Sequence, residues 1–238
     1  MRVIAIAQAR SGSSRFPNKV LERLGEKTIL DWVIRAMDAS RCIHGMALAV
    51  PAGDIDLVDI GSKHEMTVVE GSEDDVLARY ISAAEIMEAD AIVRLTADCP
   101  LLDPTLIDNA VEIFAGDPCD YLFVEGYPRG VGDIEILSRS ALESAGSKAT
   151  IREDREHVIT YISNNPKLYS VRILRAPPGL CRPGYRLCVD EAEDLEAIRA
   201  LYLAMGSPST PADVRLIIET LDKHPEIRAI NEHVSQRS

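Results

Sequence analysis

The chain has no long apolar run, no paired-cysteine motif and a deficit of positive charge, and each lack excludes something. No stretch approaches the roughly 18 apolar residues that a membrane-spanning helix needs, so no membrane partner is expected. The short run at 3–7 gives way at once to Gln8 and Arg10, which reads as a strand rather than a signal peptide. The five cysteines, at 42, 99, 119, 181 and 188, are odd in number and include no C-x-x-C. That usage predicts reduced thiols in a cytoplasmic protein and no zinc site. Lys and Arg number 26 against 38 Asp and Glu, a formal net charge of −12. Nucleic acid is therefore not expected as a partner, because a phosphate backbone calls for clustered basic residues. There is also no internal repeat and no low-complexity segment.

What remains is ordinary globular composition, 46% hydrophobic and 27% charged over 238 residues. That length suits one large α/β domain spanning 1–238, with about 125–185 as an arm that contacts a partner subunit. The charge is unevenly spread. Residues 1–35 carry seven basic and three acidic side chains, a local charge of +4. A basic patch on an acidic protein points to a small anionic ligand, or to nothing more than a solvated basic face.

Apolar spacing over the first hundred residues alternates between periods of two and 3.6. Strands are expected at 3–7, 46–50, 67–69 and 91–95, with helices at 28–37, 54–64 and from Ser72 onward. Such a βαβαβαβ order implies a mostly parallel sheet with right-handed crossovers, and ligands beyond the carboxyl ends of its strands. The second half predicts helices at 104–114, from Ser140, 152–163, 192–203 and 211–223. Its strands are expected at 120–124, 134–137, 168–174 and 186–189.

Five segments carry chemistry. Gln8-Ala9-Arg10-Ser11-Gly12-Ser13-Ser14-Arg15-Phe16-Pro17-Asn18-Lys19 follows the first strand. It is neither a G-x-G-x-x-G fingerprint nor a Walker A loop. Small residues at 11–14 would let backbone N–H groups approach phosphate oxygens, and Arg10, Arg15 and Lys19 bring three charges to one loop. A flexible Gly/Ser loop fits the same letters. Arg94-Leu95-Thr96-Ala97-Asp98 closes the fourth strand, where Asp98 is placed to hold Mg²⁺ and Asp103 to cap the next helix. Asp190 ends the segment 186–190 as another acid just past a short strand, or as a simple helix cap. Arg129, Asp133 and Glu135 lie in a Gly-rich turn entering a strand, and Arg155, Glu156 and His157 on a charged helix.

Taken together, "AQARSGSSRFPNKVL", "GSEDDVLARY", "VRLTADCPLLDP", "YPRG…DIEI", "REHVITYI" and "VDEAEDLE" resemble, in family order over about 1–205, the spore-coat-polysaccharide type of cytidylyltransferase. That family is related to the CMP-sialic acid, CMP-pseudaminic acid and CMP-Kdo synthetases. The resemblance implies a Rossmann-like three-layer α/β sandwich of the nucleotide-diphospho-sugar transferase type, in a homodimer. It implies Mg²⁺-dependent transfer of CMP from CTP to a sugar-type acceptor, an ulosonic acid such as a sialic, pseudaminic, legionaminic or Kdo-like sugar, with release of pyrophosphate for surface-polysaccharide synthesis. CTP would be held by Ala9, Arg10, Ser11, Gly12, Ser13, Ser14, Arg15, Lys19, Arg94, Thr96, Ala97 and Asp98. Arg10, Lys19, Asp98 and Asp190 would be catalytic, Asp98 and Asp190 as the metal ligands. Arg129, Asp133, Glu135, Arg155, Glu156 and His157 would face the acceptor.

The chain departs from that pattern at Gly132, an extra residue in the usual "PRGLDVE", at Leu187-Cys188 in place of an aromatic-Thr pair, and at Phe16 and Asn18, where Leu and Gly are usual. Competing readings are a glycosyltransferase using a nucleotide sugar, a cytidylyltransferase acting on a phosphate or phosphonate, and a non-catalytic nucleotide-binding subunit. The first calls for an Asp-x-Asp after a mid-sequence strand, and the sole candidate, Asp54-Ile55-Asp56, begins an expected helix.

Overall fold

A computed structural model describes residues 1–13 and 15–235. Ser14, expected at the nucleotide, lies outside the described residues. The first strand, β1 (Val3–Gln8), leads through a long loop into a hairpin of β2 (Arg23–Leu24) and β3 (Lys27–Thr28), then α1 (Ile29–Ala39). Next come β4 (Met46–Pro51), α2 (Ile55–Lys63), β5 (Thr67–Gly71), α3 (Val76–Ile86), β6 (Ala91–Thr96) and α4 (Pro104–Gly116). The second half supplies β7 (Tyr121–Glu125), β8 (Glu135–Ser138), α5 (Arg139–Lys148), α6 (Arg152–Glu156), α7 (Thr160–Asn164) and β9 (Val171–Arg175). Three helices close the chain: α8 (Ala192–Ala204), α9 (Val214–Lys223) and α10 (Pro225–Ala229).

The strands form one seven-stranded sheet in the order β5-β4-β1-β6-β8-β7-β9. It is mostly parallel; β8 alone runs against its neighbours β6 and β7. Side chains of successive strand residues point to opposite faces, so β1 feeds two cores. Val3, Ala5 and Ala7 pack on one face with Leu30 and Val33 of α1 and Ile107 of α4. Ile4 and Ile6 pack on the other with Leu77 and Tyr80 of α3 and Leu142 of α5. Helices on both faces of a mainly parallel sheet give the expected three-layer sandwich. The span 125–185 builds β8, β9 and α5 into that sandwich. Among the described residues, no helix is long and apolar enough to cross a membrane.

Local chemistry sets the ends of these elements. Thr28 starts α1 with a reciprocal cap: the Asp31 amide donates to Thr28 Oγ1 at 3.0 Å and the Thr28 amide to Asp31 Oδ2 at 2.8 Å. The helix expected from Ser72 starts instead at Val76, because the Asp75 carboxylate accepts from the Ala78 amide at 3.0 Å. The helix expected over 152–163 is two short ones, parted where His157 turns extended and Val158 goes into the core. The strand expected at 186–189 is a single bridge between Arg129 and Arg186. Its amides serve two loops, Leu187 donating to the Arg129 carbonyl at 2.9 Å and Val189 to that of Asp98 at 2.9 Å. The helix expected over 211–223 runs as α9 from Val214 to Lys223, and a further short helix, α10, starts at Pro225.

Asp108 of α4 ties that helix to the turn after α1. Its buried carboxylate accepts from Ser40 Oγ at 2.5 Å and from the Arg41 and Cys42 amides at 2.9 and 3.0 Å, fixing the turn from α1 to β4. Burial opposes the charge, but these donors outweigh it and hold the carboxyl below its ordinary value. Replacing Asp108 by Ala leaves three donors without an acceptor and should cost about 3 kcal/mol, read by urea unfolding at pH 7. A depressed carboxyl stabilises above its unfolded-state value, 3.8, and loses that contribution as pH falls through the folded-state value, so the gap between D108A and the parent should close in acid.

Candidate active site

The register of β1 against β6 pairs Gln8 with Thr96, so both strands end at the same edge of the sheet. The loops 9–19 and 97–103 therefore leave side by side, as expected for a parallel sheet. Between them lies a cleft of about 210 Å³ lined by Ala9, Arg10, Ser13, Arg15, Lys19, Thr96, Ala97, Asp98 and Asp190. The Gln8 side-chain oxygen and Arg79 Nε, on the same wall, are buried without a partner among the described residues.

The loop is held by Asp54, whose carboxylate accepts from Ser11 at both the amide, 3.0 Å, and Oγ, 2.5 Å. Asn18 sits at φ 58, the left-handed region that asparagine enters more readily than most residues. This accounts for an Asn where the resembled family has Gly. The turn lets Lys19 begin a short 3₁₀ segment and swing inward.

Lys19 Nζ lies between two carboxylates, 2.7 Å from Asp98 Oδ2 and 2.9 Å from Asp190 Oδ1. Burial works against its charge, but Asp98 and Asp190 outweigh burial and raise its pKa above the ordinary value. Asp190 also faces Arg15 at 3.0 Å and Arg186 at 3.0 Å. Against the cost of burial, the charges of Lys19, Arg15 and Arg186 hold its carboxyl below the usual range. Behind it, fully buried Asp194 accepts from Arg186 Nε at 2.7 Å and Nη2 at 2.9 Å, from the Asp190 amide at 2.9 Å and from Asn231 at 2.9 Å. This bidentate pair fixes the Arg186 guanidinium and with it the position of Asp190.

A second cleft, of about 410 Å³, meets the first at Thr96, Asp98, Arg15 and Asp190. Arg94, Arg129, Asp133 and Glu135 line it. Arg94 is ion-paired to Glu135, which also accepts from the Tyr121 hydroxyl at 2.6 Å. Burial pushes the Asp133 carboxyl above its ordinary value, only partly opposed by Arg129 and the Gly130 amide. Gly130, at φ +85, has no room for a side chain: an added Cβ would stand 2.4 Å from the Leu187 carbonyl oxygen. An added Cβ at Gly132 would meet Tyr127 at 2.7 Å, so the extra glycine is a close-packing residue. Cys99 and Cys188 also line this cleft. Burial pushes the Cys99 thiol well up and that of Cys188 to about 12, which removes both as thiolate nucleophiles near neutral pH.

Several expected site residues take other places. Arg94 lines the second cleft instead of the first. Arg155 lines neither, since its guanidinium holds Asp75 at 2.5 Å and the Gly146 carbonyl at 2.8 Å. Glu156 and His157 line the first cleft instead of the second. Ser11 and Gly12 are absent from both linings. The expected cradle of amides is also reduced, because Ala9 donates to the Ala49 carbonyl, Ser11 to Asp54 and Ser13 to the Ser11 carbonyl. Sequence reasoning missed the roles of Asp54, Arg79, Arg186 and Asp194. Arg79 left a signal, as a charge between Val76 and Tyr80 on the apolar stripe of a helix.

Two carboxylate oxygens converging on one cation suit a hard divalent ion that takes its remaining ligands from phosphates and water. Among the described residues, no group of three or more His, Cys, Asp or Glu is arranged to hold a metal by itself.

The profile of one family, described as cytidylyltransferase, matches residues 4–216. An uncharacterized protein of Methanocaldococcus jannaschii is 36% identical over 100% of this chain and 98% of its own. The spore coat polysaccharide biosynthesis protein SpsF of Bacillus subtilis is 32% identical over 94% of this chain and 95% of its own. A solved structure of a cytidylyltransferase from Leptospira borgpetersenii superposes with a TM-score of 0.89 at 29% identity, covering 100% of both chains. The sheet, the basic loop and the two facing carboxylates are thus the frame of an enzyme, and the chain belongs to the cytidylyltransferase family.

Proposed function

We propose that the enzyme transfers CMP from CTP to a small acidic sugar, an ulosonic acid, with release of pyrophosphate. The observation that carries this reading is the position of Asp98 and Asp190 at the seam of two clefts. One cleft carries the basic loop and suits a triphosphate; the other carries arginines and suits an acceptor with a carboxylate. The reacting atoms would then meet where the carboxylates stand. In the first cleft, Arg10, Arg15 and Lys19 take the phosphates and neutralise the leaving pyrophosphate. Thr96 and Ala97 close the wall next to Asp98.

Asp98 and Asp190 would hold Mg²⁺, which supplies charge neutralisation at the phosphates and polarises the acceptor oxygen. Lys19 already places a positive charge between these carboxylates. In the second cleft, Arg129 faces the acceptor carboxylate, while Arg94, Tyr121 and Glu135 form a fixed polar wall. An acceptor hydroxyl held there attacks the α-phosphorus in line, and the protein acts by positioning and by charge. A homodimer formed through 125–185 belongs to the same reading; Ile151, Leu168 and Val171, on that span, expose apolar side chains.

Three outcomes are expected. Asp98→Asn should lower kcat roughly a hundredfold or more in a pyrophosphate-release assay while the urea midpoint stays close to that of the parent. Full activity of D98N at saturating Mg²⁺ would overturn the assignment. Arg10→Ala should raise the KM for CTP about tenfold, worth about 1.4 kcal/mol, with a smaller change in kcat. Crossing four nucleoside triphosphates with a panel of acidic sugars, neutral sugars and phosphonates should give pyrophosphate only with CTP and an acidic sugar.

A further inference from the structure

A third cavity, of about 650 Å³, adjoins the second cleft and shares Arg129 with it. Four arginines line it, Arg129, Arg182, Arg186 and Arg228, against one acid, Glu232. Two of the four are brought together by the backbone. Arg129 and Arg186 form a parallel bridge, with the Arg129 amide donating to the Tyr185 carbonyl at 2.8 Å and the Leu187 amide to the Arg129 carbonyl at 2.9 Å. Residues paired in this way send their side chains to the same face. Two like charges side by side are unfavourable unless an anion answers them.

The protein answers only part of this charge. Arg186 commits Nε to Asp194 and Nη2 to Asp194 and Asp190. Its Nη1 is buried with no acceptor among the described residues, on a side chain only 10% exposed. Arg186 lines this cavity and neither cleft. Nε of Arg129 and Nε of Arg228 are buried without an acceptor as well. Arg228 lies 4.8 Å from the centre of the Tyr185 ring, which fixes its guanidinium without neutralising it. Arg182 pairs with Asp222 at 2.8 Å, and Arg129 faces Asp133.

Several guanidinium groups gathered around one cavity suit a tetrahedral, multiply charged oxyanion better than a lone carboxylate, because guanidinium N–H groups match phosphate oxygens in pairs. The rest of the lining, with Leu187, Leu221 and Ile227, is apolar, and the volume falls in the range of small-molecule sites. We propose that this cavity is a second ligand site, taking a small organic molecule through its phosphate group. It is separate from the nucleotide cleft and does not rest on the reaction proposed above.

The probes are inorganic phosphate in solution and tungstate in crystals of the full chain, both without nucleotide. Calorimetry of the parent should show two equivalents of phosphate, one at the Arg15–Lys19 loop and one in the cavity. Arg228→Met keeps the stem on Tyr185 and removes the charge; it should lose one equivalent and keep its CTP affinity. Glu232→Gln removes the lining acid and should tighten the same equivalent severalfold, which gives a second reading if R228M folds poorly. Anomalous maps from tungstate soaks should place one anion at Arg186 and Arg228, and R228M should lose that peak alone. No anion at Arg186 and Arg228 in the tungstate maps, or R228M and E232Q binding phosphate as the parent does, would each overturn the proposal.

Discussion

The parallel pairing of β1 with β6 is the constraint on which the site depends. Parallel neighbours end at the same edge, so whatever follows each strand is delivered to one place. Here the loop after β1 is basic and the loop after β6 begins with Asp98, which makes the edge a meeting point of opposite charges. The sheet itself is secured by ordinary means. Its central strands alternate side chains into two apolar layers.

Charge balance then organises the second carboxylate. Asp190 belongs to no regular strand, and a carboxylate at the end of an irregular segment would have no fixed position. The buried Asp194–Arg186 pair gives it one, gripping the Asp190 amide from one side and its carboxylate from the other. Breaking a pair of this kind would leave a buried charge without its counter-ion, which is why such residues act in concert and not singly. Lys19 completes the arrangement by supplying positive charge between Asp98 and Asp190.

Much of this was legible because local rules act over short distances. The βαβ alternation, the Thr28 cap and the Asp103-Pro104 start of α4 are all encoded within a few residues, and each is observed. The acceptor-side residues were harder to place. Arg155 reads as a candidate on its own helix, but Asp75, eighty positions earlier, claims its guanidinium. Ser11 reads as a phosphate ligand by its place in the loop, but Asp54 has already taken its donors. Competition of this sort comes from partners distant in sequence and leaves no local trace.

The sequence by itself determined the sandwich, the basic loop, the pair of carboxylates and the family, because these follow from periodicity and from motifs in fixed order. Only the tertiary structure decided which groups remain available for a ligand. It moved Arg94 to the second cleft and gave Arg155 to Asp75. It also made Arg186 and Asp194 the support of Asp190 and gathered four arginines around a third cavity. The physical reason is that a hydrogen bond or ion pair is exclusive. A side chain whose donors are all taken by distant residues, as in Arg155 and Ser11, is lost to the site, and that engagement exists only once the chain has folded.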